Sequence, residues 1–332
     1  ISDSLGRKPM VFVGFGVFFI ASIVCVLAES LELMIFGRIL QGIGLSAPRT
    51  ISIAIIRDIY SGNRMAKVMS FVAVIFLLIP IIAPAMGKYV LDHFSWQAIF
   101  YTQIGFCSII ALWFWKRQAE TLLLENRIKF TKNLFIDGFK ELIKYPNTIG
   151  YTIISGFVMG SFMVYLSSSQ QVFQDQYFLK EEFPYIFAGL AISMGLAIFL
   201  NGILVMKLGM KKIINFSMLG FMLVSLTYVL LFSQTKNPSI EVLLLFFAAQ
   251  FFTIGFLFGN LRAMAMQPVG HIAGIASAIT GLISTLMAVF ISVFIGRYVT
   301  DTVLPLFIGF FVCSICSIFI IIYLSKINKK NS

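Results

Sequence analysis

The sequence has 332 residues, of which 59% are hydrophobic and only 12% are charged, and its mean hydropathy is +0.95. That apolar excess excludes an ordinary soluble globular protein and indicates an all-α polytopic membrane protein. The net charge of +11 would suggest a nucleic-acid partner in a soluble protein. Here the cations follow a membrane topology, so we expect no nucleic-acid partner. The cysteines lie singly or paired in apolar runs and show neither a metal nor a disulfide framework.

Windows of about 20 apolar residues predict ten membrane-spanning helices. Helices are required because lipid offers no partner to backbone polar groups, and the runs are too continuously apolar for barrel strands. The predicted spans lie near residues 10–28, 33–56, 66–88, 97–116, 147–169, 184–206, 212–232, 240–261, 272–296 and 303–325.

Lysine and arginine are distributed unequally between the two sides of these spans. One side, which includes both termini and residues 117–146, carries 19 of the 25 cations. Two more lie inside a span, and the opposite loops hold Lys88, Lys180, Lys236 and Arg297. Because cytoplasmic loops are enriched in cations, the sequence predicts that both termini are cytoplasmic.

The second predicted span contains both intramembrane arginines, Arg38 and Arg49. An arginine at the bilayer centre costs roughly 2.5–3.5 kcal/mol on insertion scales, so it needs a protein interior or a water-filled cavity. Eleven residues at about 100° each return to nearly the same direction, so both arginines share a helix face, close to Gln41 and Ser52. Two interpretations stay open for Arg38: it lines a cavity, or it reaches the membrane surface from near the helix end.

The longest polar stretch divides four predicted spans from six. We predict a remnant of an amino-terminal helix bundle at 1–116, a cytoplasmic linker at 117–146 and a carboxy-terminal six-helix bundle at 147–332. Within the linker, Phe135 to Ile143 has an amphipathic pattern. That pattern favours a short helix on the membrane surface as much as a disordered connector.

Two short basic loops around Gly6 and Gly209 precede the first and seventh predicted spans. Each glycine suits a tight turn. If the two loops are equivalent positions of an internal repeat, about 56 residues with two further spans are expected ahead of Ile1. The sequence thus predicts a six-plus-six helix protein of which ten helices are visible.

Several motifs in order resemble the major facilitator superfamily, and within it the Bcr/CflA type of drug:proton antiporter. Ser4 stands where the loop motif usually has arginine, and Ile79, Ala83 and Lys88 stand where the antiporter motif usually has glycine. The motifs are Ser2-Asp3-Ser4-Leu5-Gly6-Arg7-Lys8-Pro9, Arg38-Ile39-Leu40-Gln41-Gly42, Arg57-Asp58-Ile59-Tyr60, Met69-Ser70-Phe71, Ala83-Pro84-Ala85-Met86-Gly87, Ser95-Trp96-Gln97-Ala98-Ile99-Phe100 and Ala273-Gly274-Ile275-Ala276-Ser277-Ala278. The resemblance implies two six-helix bundles, with family helices 3 to 12 visible.

The resemblance also implies candidate site residues. The candidate gating and motif residues are Asp3, Gly6, Arg7, Pro80, Pro84 and Gly87. Arg7 equally serves as a plain cytoplasmic anchor, and the two prolines equally produce a packing kink. The candidate transport-pathway residues lie on family helices 4, 7 and 10. They are Arg38, Gln41, Arg49, Tyr165, Gln170, Gln250 and Thr253. For the last four, an interhelical hydrogen bond is the competing role.

These observations predict a transporter that exports drugs or other small amphipathic molecules by alternating access, driven by a proton gradient. The alternatives are an importer or facilitator of a small metabolite, or an inactive truncated remnant. No nucleophile elbow, metal spacing or phosphate loop indicates an enzyme. We expect no cofactor, a small-molecule substrate, the lipid bilayer as surroundings, a monomer, and multi-pass insertion in a cell membrane, namely a bacterial inner membrane. No predicted span carries a central carboxylate, and in the resembling family that group commonly lies on helix 1.

Overall fold

The computed structural model describes residues 2–60, 68, 72, 79, 82–83, 85–122, 133–234 and 237–330. Across these residues all regular structure is helical. Nine of the described helices are long and apolar enough to cross a membrane. The all-α polytopic fold is therefore confirmed, while the span predicted near 66–88 lies mostly outside the described residues. The chain forms two compact units, Ile1–Thr131 and Lys132–Ser332.

Among its described residues the first unit contains a short helix and three long ones: α1 (Ser2–Leu5), α2 (Arg7–Val26), α3 (Leu31–Ile59) and α4 (Gln97–Arg117). Residues 85–93 are also helical. Helix α3 begins where it does because the Ser30 side chain accepts a hydrogen bond from the Leu33 N–H at 3.2 Å. Helix α2 packs against both α3 and α4.

Helices α2 and α3 approach each other closely at two glycines, Gly14 and Gly44. A Cβ atom on Gly44 would lie 2.6 Å from the backbone nitrogen of Phe18, and one on Gly14 would lie 2.6 Å from the Gly44 carbonyl oxygen. Pro48 lies inside α3 and removes the N–H that would otherwise bond to that carbonyl. Backbone contact of this kind is how small residues hold membrane helices together.

The second unit contains seven helices: α5 (Asn133–Ile143), α6 (Pro146–Gln170), α7 (Phe183–Leu208), α8 (Met210–Phe232), α9 (Ile240–Met266), α10 (Ala273–Gly296) and α11 (Leu304–Lys330). A π-helical segment, Gln171–Gln176, extends α6, and a 3₁₀ segment, Gln267–Ile272, joins α9 to α10. Helix α6 packs against α9, α10 and α11. Aromatic side chains fill much of this core; the rings of Tyr228 and Phe307 stack with centroids 3.8 Å apart.

Helix α5 decides between the two interpretations of the polar stretch. It is helical rather than disordered, and it packs on α10, where Leu142 is fully buried. Gly138 allows the close approach, since a Cβ there would clash with the side chain of Ile275. The disordered connector is therefore wrong for Asn133–Ile143. Because α5 belongs to the second compact unit, the predicted three-part division of the chain stays a prediction.

Gly6 and Gly209 adopt the same unusual backbone conformation. Their φ and ψ angles are 108° and 158°, and 77° and 151°. Only glycine enters this region without strain. Each glycine separates two helices, α1 from α2 and α7 from α8, as the predicted turns require.

Candidate functional site

A polar network lies where α2, α3 and α4 meet. Gln41, only 3% exposed, lies at its centre. Its carbonyl oxygen accepts a hydrogen bond from Arg38 Nη1 at 2.8 Å. Its Nε2 atom donates to Ser22 Oγ at 2.7 Å and to Gln103 Oε1 at 3.1 Å. One glutamine side chain therefore joins all three helices and fixes the direction of the Arg38 guanidinium.

Arg38 and Arg49 both lie on the exposed part of α3. Within the described chain, Gln41 is the hydrogen-bond partner of the Arg38 side chain, and Arg49 has none. No described carboxylate pairs with either arginine. Among the described residues, the face holding both therefore presents positive charge, which can bind an anionic group or favour the ionised form of a nearby carboxyl group.

Sequence reasoning identified Arg38 and Gln41 but missed Ser22 and Gln103. Both missed residues are isolated polar side chains in apolar spans, and that isolation is the signal that could have found them. Ser22 is fully buried and also donates to the Phe18 carbonyl oxygen at 2.8 Å. Neither residue could be linked to Gln41 without the helix packing.

In the second unit, Gln250 lies in the core of α9 with no exposed surface. Its Nε2 donates to Ser225 Oγ at 3.0 Å and to the Phe221 carbonyl oxygen at 3.3 Å, both on α8. Its Oε1 atom is buried without a partner among the described residues. Thr253 donates to the Gln250 carbonyl oxygen at 2.7 Å. The interhelical role expected as the alternative is thus observed for the amide nitrogen of Gln250, whereas Thr253 bonds within its own helix.

Tyr165 is 2% exposed and lies among aromatic rings of the same unit. Its ring stacks on Phe187 at 5.8 Å and meets Phe251 edge-on at 4.5 Å. Its hydroxyl group is buried without a hydrogen-bond partner in the described chain. Gln170, at the end of α6, donates to Gln174 Oε1 at 3.2 Å and is exposed. Unpartnered buried atoms are thus present at Tyr165 and Gln250, and not at Gln170.

The loop motif at the start of the chain forms an ion pair. Arg7 Nε lies 3.0 Å from Asp58 Oδ2, at the end of α3. Arg7 Nη1 donates to Ser2 Oγ at 2.9 Å, and Thr121 Oγ1 donates to the same Asp58 oxygen at 3.0 Å. Arg7 is 9% exposed and therefore forms a buried contact, while its alternative role as a cytoplasmic anchor stays a prediction. We refer to the Arg7–Asp58 pair as the end contact.

Glu120 reinforces the end contact from the segment after α4. Its carboxylate accepts hydrogen bonds from the first N–H groups of α2, at 2.9 Å for Arg7 and 3.0 Å for Lys8, where a negative charge is favoured. Burial acts to raise the pKa of Glu120, but the N–H groups of Leu122, Arg7, Lys8 and Thr121 together hold it below its usual value. Sequence analysis assigned no role to Asp58 or Glu120.

For the other predicted motif residues the structure gives few contacts. Pro80 and Pro84 lie outside the described residues, as does the side chain of Asp3. Gly87 is part of the helical stretch 85–93, and a Cβ atom added there would meet open space. In the described chain no His, Cys, Asp and Glu side chains group in a way that could hold a metal ion.

Comparison with known proteins gives one family throughout. The model of the Major Facilitator Superfamily matches residues 1–292. The MFS-type transporter YdgK of Bacillus subtilis, itself uncharacterized, is 28% identical over 289 residues, covering 85% of this chain and 71% of the relative. The bicyclomycin resistance protein homolog of Haemophilus influenzae is 26% identical over 339 residues, covering 99% of this chain and 82% of the relative.

A solved structure supports the fold. The crystal structure of the human organic anion transporter MFSD10 superposes with a TM-score of 0.68 at 15% identity, covering 97% of this chain and 78% of the other. At that identity the likeness concerns the fold alone. The predicted family is confirmed, and its members are transporters rather than enzymes. The chain belongs to the Major Facilitator Superfamily of membrane transporters.

Proposed function

We propose that this transporter exports drugs or other small amphipathic molecules in exchange for protons, by alternating access. The name of the Haemophilus influenzae relative, a bicyclomycin resistance protein homolog, supports the choice of cargo. The observation that carries the mechanism is the hydrogen bond from the Arg38 guanidinium to Gln41, within a helix long and apolar enough to cross a membrane. A charge placed there is costly, so a functional role is the default expectation.

In this proposal Arg38 supplies a fixed positive charge to the transport pathway, and Arg49 extends the positive face along α3. A carboxyl group close to Arg38 keeps a low pKa, which eases proton release when the pathway opens. Gln41 acts as a positioning residue because it orients the guanidinium without bearing charge. Ser22 and Gln103 hold Gln41 from the neighbouring helices.

The second unit contributes polar atoms that have no partner. A buried polar atom without a hydrogen bond costs about 1–3 kcal/mol. Tyr165 Oη and Gln250 Oε1 carry that cost in the described chain, so we propose that they bind cargo or water during transport. Gln170 and Thr253 belong to the proposed pathway by their place on the same helices, at the end of α6 and next to Gln250.

The motif residues form the proposed gates. Arg7 and Asp58 make the end contact, which we propose holds one end of the first unit closed, with Gly6 and Asp3 setting the turn before α2. The region of Pro80, Pro84 and Gly87 is proposed as the seal at the opposite side. Opening then requires that the end contact separates.

The distribution of cations supports the proposed orientation, with both termini in the cytoplasm of a bacterial cell and the protein in its inner membrane. We propose that it acts as a monomer. Transporters of this family need no cofactor, and we propose that the proton gradient supplies the energy. Labelling tests the orientation: a cysteine placed at the exposed Lys144 should resist a membrane-impermeant thiol reagent in intact cells, and its rapid labelling would refute the orientation.

The function is tested in cells loaded with a fluorescent cationic dye. Cells expressing the protein should lose dye faster than empty cells, and an uncoupler should abolish the difference. Arg38→Ala should also abolish it. The matched control is Arg297→Ala, which removes an exposed arginine outside the predicted spans. Export that ignores the uncoupler would contradict proton coupling, and export that persists in Arg38→Ala would contradict the site.

A further inference from the structure

An open apolar groove lies on the first unit, separate from the polar network. Its volume is about 370 Å³, and it is lined by Phe12 of α2 and by Ala111, Leu112 and Trp115 of α4. Trp115 and Leu112 are 60% and 58% exposed. Both helices are long and apolar enough to cross a membrane, and the groove is open among the described residues.

Three cations lie at one end of the groove. Lys8 is one helical turn before Phe12, about 6 Å along α2. Its ammonium group donates to the Trp115 carbonyl oxygen at 2.9 Å, which places it directly beside the groove. Lys116 and Arg117 follow Trp115 at the end of α4 and are exposed, with no hydrogen-bond partner within the described chain.

The charges around this end stay positive despite two neighbouring carboxylates. Asp58 is paired with Arg7 in the end contact. Glu120 accepts the Lys8 backbone N–H, but its oxygens are already bound by four backbone N–H groups. The Lys8 ammonium has three donors, of which the Trp115 carbonyl uses one. The remaining donors, with those of Lys116 and Arg117, are available to an anion at the membrane surface.

We propose that this groove is a binding site for one anionic phospholipid. The apolar lining accepts an acyl chain, and the cations at its end bind the phosphate. A soluble anion would not need the groove, and a zwitterionic lipid would gain less, because each cation near a membrane surface attracts anionic lipid by about 1 kcal/mol. An exposed tryptophan next to cations is typical of the level of lipid headgroups. The site lies away from Arg38 and is independent of the proposed cargo.

Native mass spectrometry of the purified protein with phosphatidylglycerol or phosphatidylcholine tests the proposal. We expect phosphatidylglycerol to bind about 150-fold more tightly than phosphatidylcholine, the combined effect of three cations. The double variant Lys116→Gln/Arg117→Gln should reduce that preference by about 30-fold, the share of two cations, while leaving the Lys8–Trp115 contact in place. Ala111→Trp should fill the groove and weaken binding of both lipids. The matched control, Lys211→Gln/Lys212→Gln, removes the same charge from an exposed part of the second unit and should bind as wild type does.

Three results would overturn the proposal. The first is equal affinity for the two lipids in the unmodified protein. The second is an equal loss in the cation variant and in the control, which would assign the effect to net charge. The third is displacement of phosphatidylglycerol by inorganic phosphate with no effect of Ala111→Trp, which would leave a surface phosphate site without a role for the groove.

Discussion

Replacing Gln41 by alanine should lower the rate of export strongly, because Arg38 loses its hydrogen-bond partner. The same change should lower the free energy of unfolding only slightly. The change removes two interhelical hydrogen bonds, to Ser22 and to Gln103. Such bonds in membrane helices average about 0.6 kcal/mol each, so the loss of stability should be about 1 kcal/mol. It also removes the acceptor of the Arg38 guanidinium. A hydrogen bond to a charged group contributes about 1.5–3 kcal/mol, and since Arg38 is partly exposed we take the lower value.

If this bond contributes about 1.5 kcal/mol to the conformation that transports, its loss should lower the rate of export about tenfold. The assay is dye export in energised cells at matched expression, with thermal unfolding of the purified variants measured in parallel. Ser46→Ala is the control, because Ser46 lies on the same helix and, within the described chain, its hydroxyl donates to the Ile43 carbonyl oxygen of that helix. Export at the wild-type rate by Gln41→Ala would refute the positioning role of this residue.

The remaining predictions concern charge, packing and pH. Arg38→Lys keeps the charge but loses the planar fork, so export should fall but exceed that of Arg38→Ala; equal rates would leave the fork without a role. Gly44→Leu should unfold at a lower temperature, since its side chain would meet the Phe18 backbone, whereas Gly42→Leu, with open space around it, should not. Glu120→Gln should be less stable than wild type near neutral pH. Because the pKa of Glu120 is depressed in the folded protein, the extra stability of the wild type is complete above the ordinary carboxyl pKa and is lost as the pH falls below it. A stability difference that grows in acid would contradict this role of Glu120.

Hydrophobic windows predicted the long helices well, because span length is fixed by bilayer thickness rather than by neighbours. Helix α3 is observed at Leu31–Ile59 against a predicted 33–56, and the difference at its start reflects the cap by Ser30. The turns at Gly6 and Gly209 were predicted because glycine tolerates positive φ. The packing of α5 on α10 was not predicted, since an amphipathic pattern does not show which surface the apolar face packs against.

The candidate site was predicted only in part. Arg38 could be predicted because an arginine inside an apolar span stands out from the sequence alone, whatever the helix packs against. Ser22 and Gln103 were missed because they meet Gln41 only after three helices have packed. Likewise, the end contact joins Arg7 to Asp58, on helices whose crossing depends on glycine contacts that periodicity does not encode.

The most direct test of proton-coupled export uses purified protein in liposomes with an imposed pH gradient and no other energy source. The proposal predicts that adding a transported drug to these liposomes releases protons down their gradient, that the gradient drives drug movement in the opposite direction, and that Arg38→Ala abolishes both fluxes while Arg297→Ala retains them. Drug movement that proceeds at the same rate without the gradient, or with no proton flux, would contradict the account.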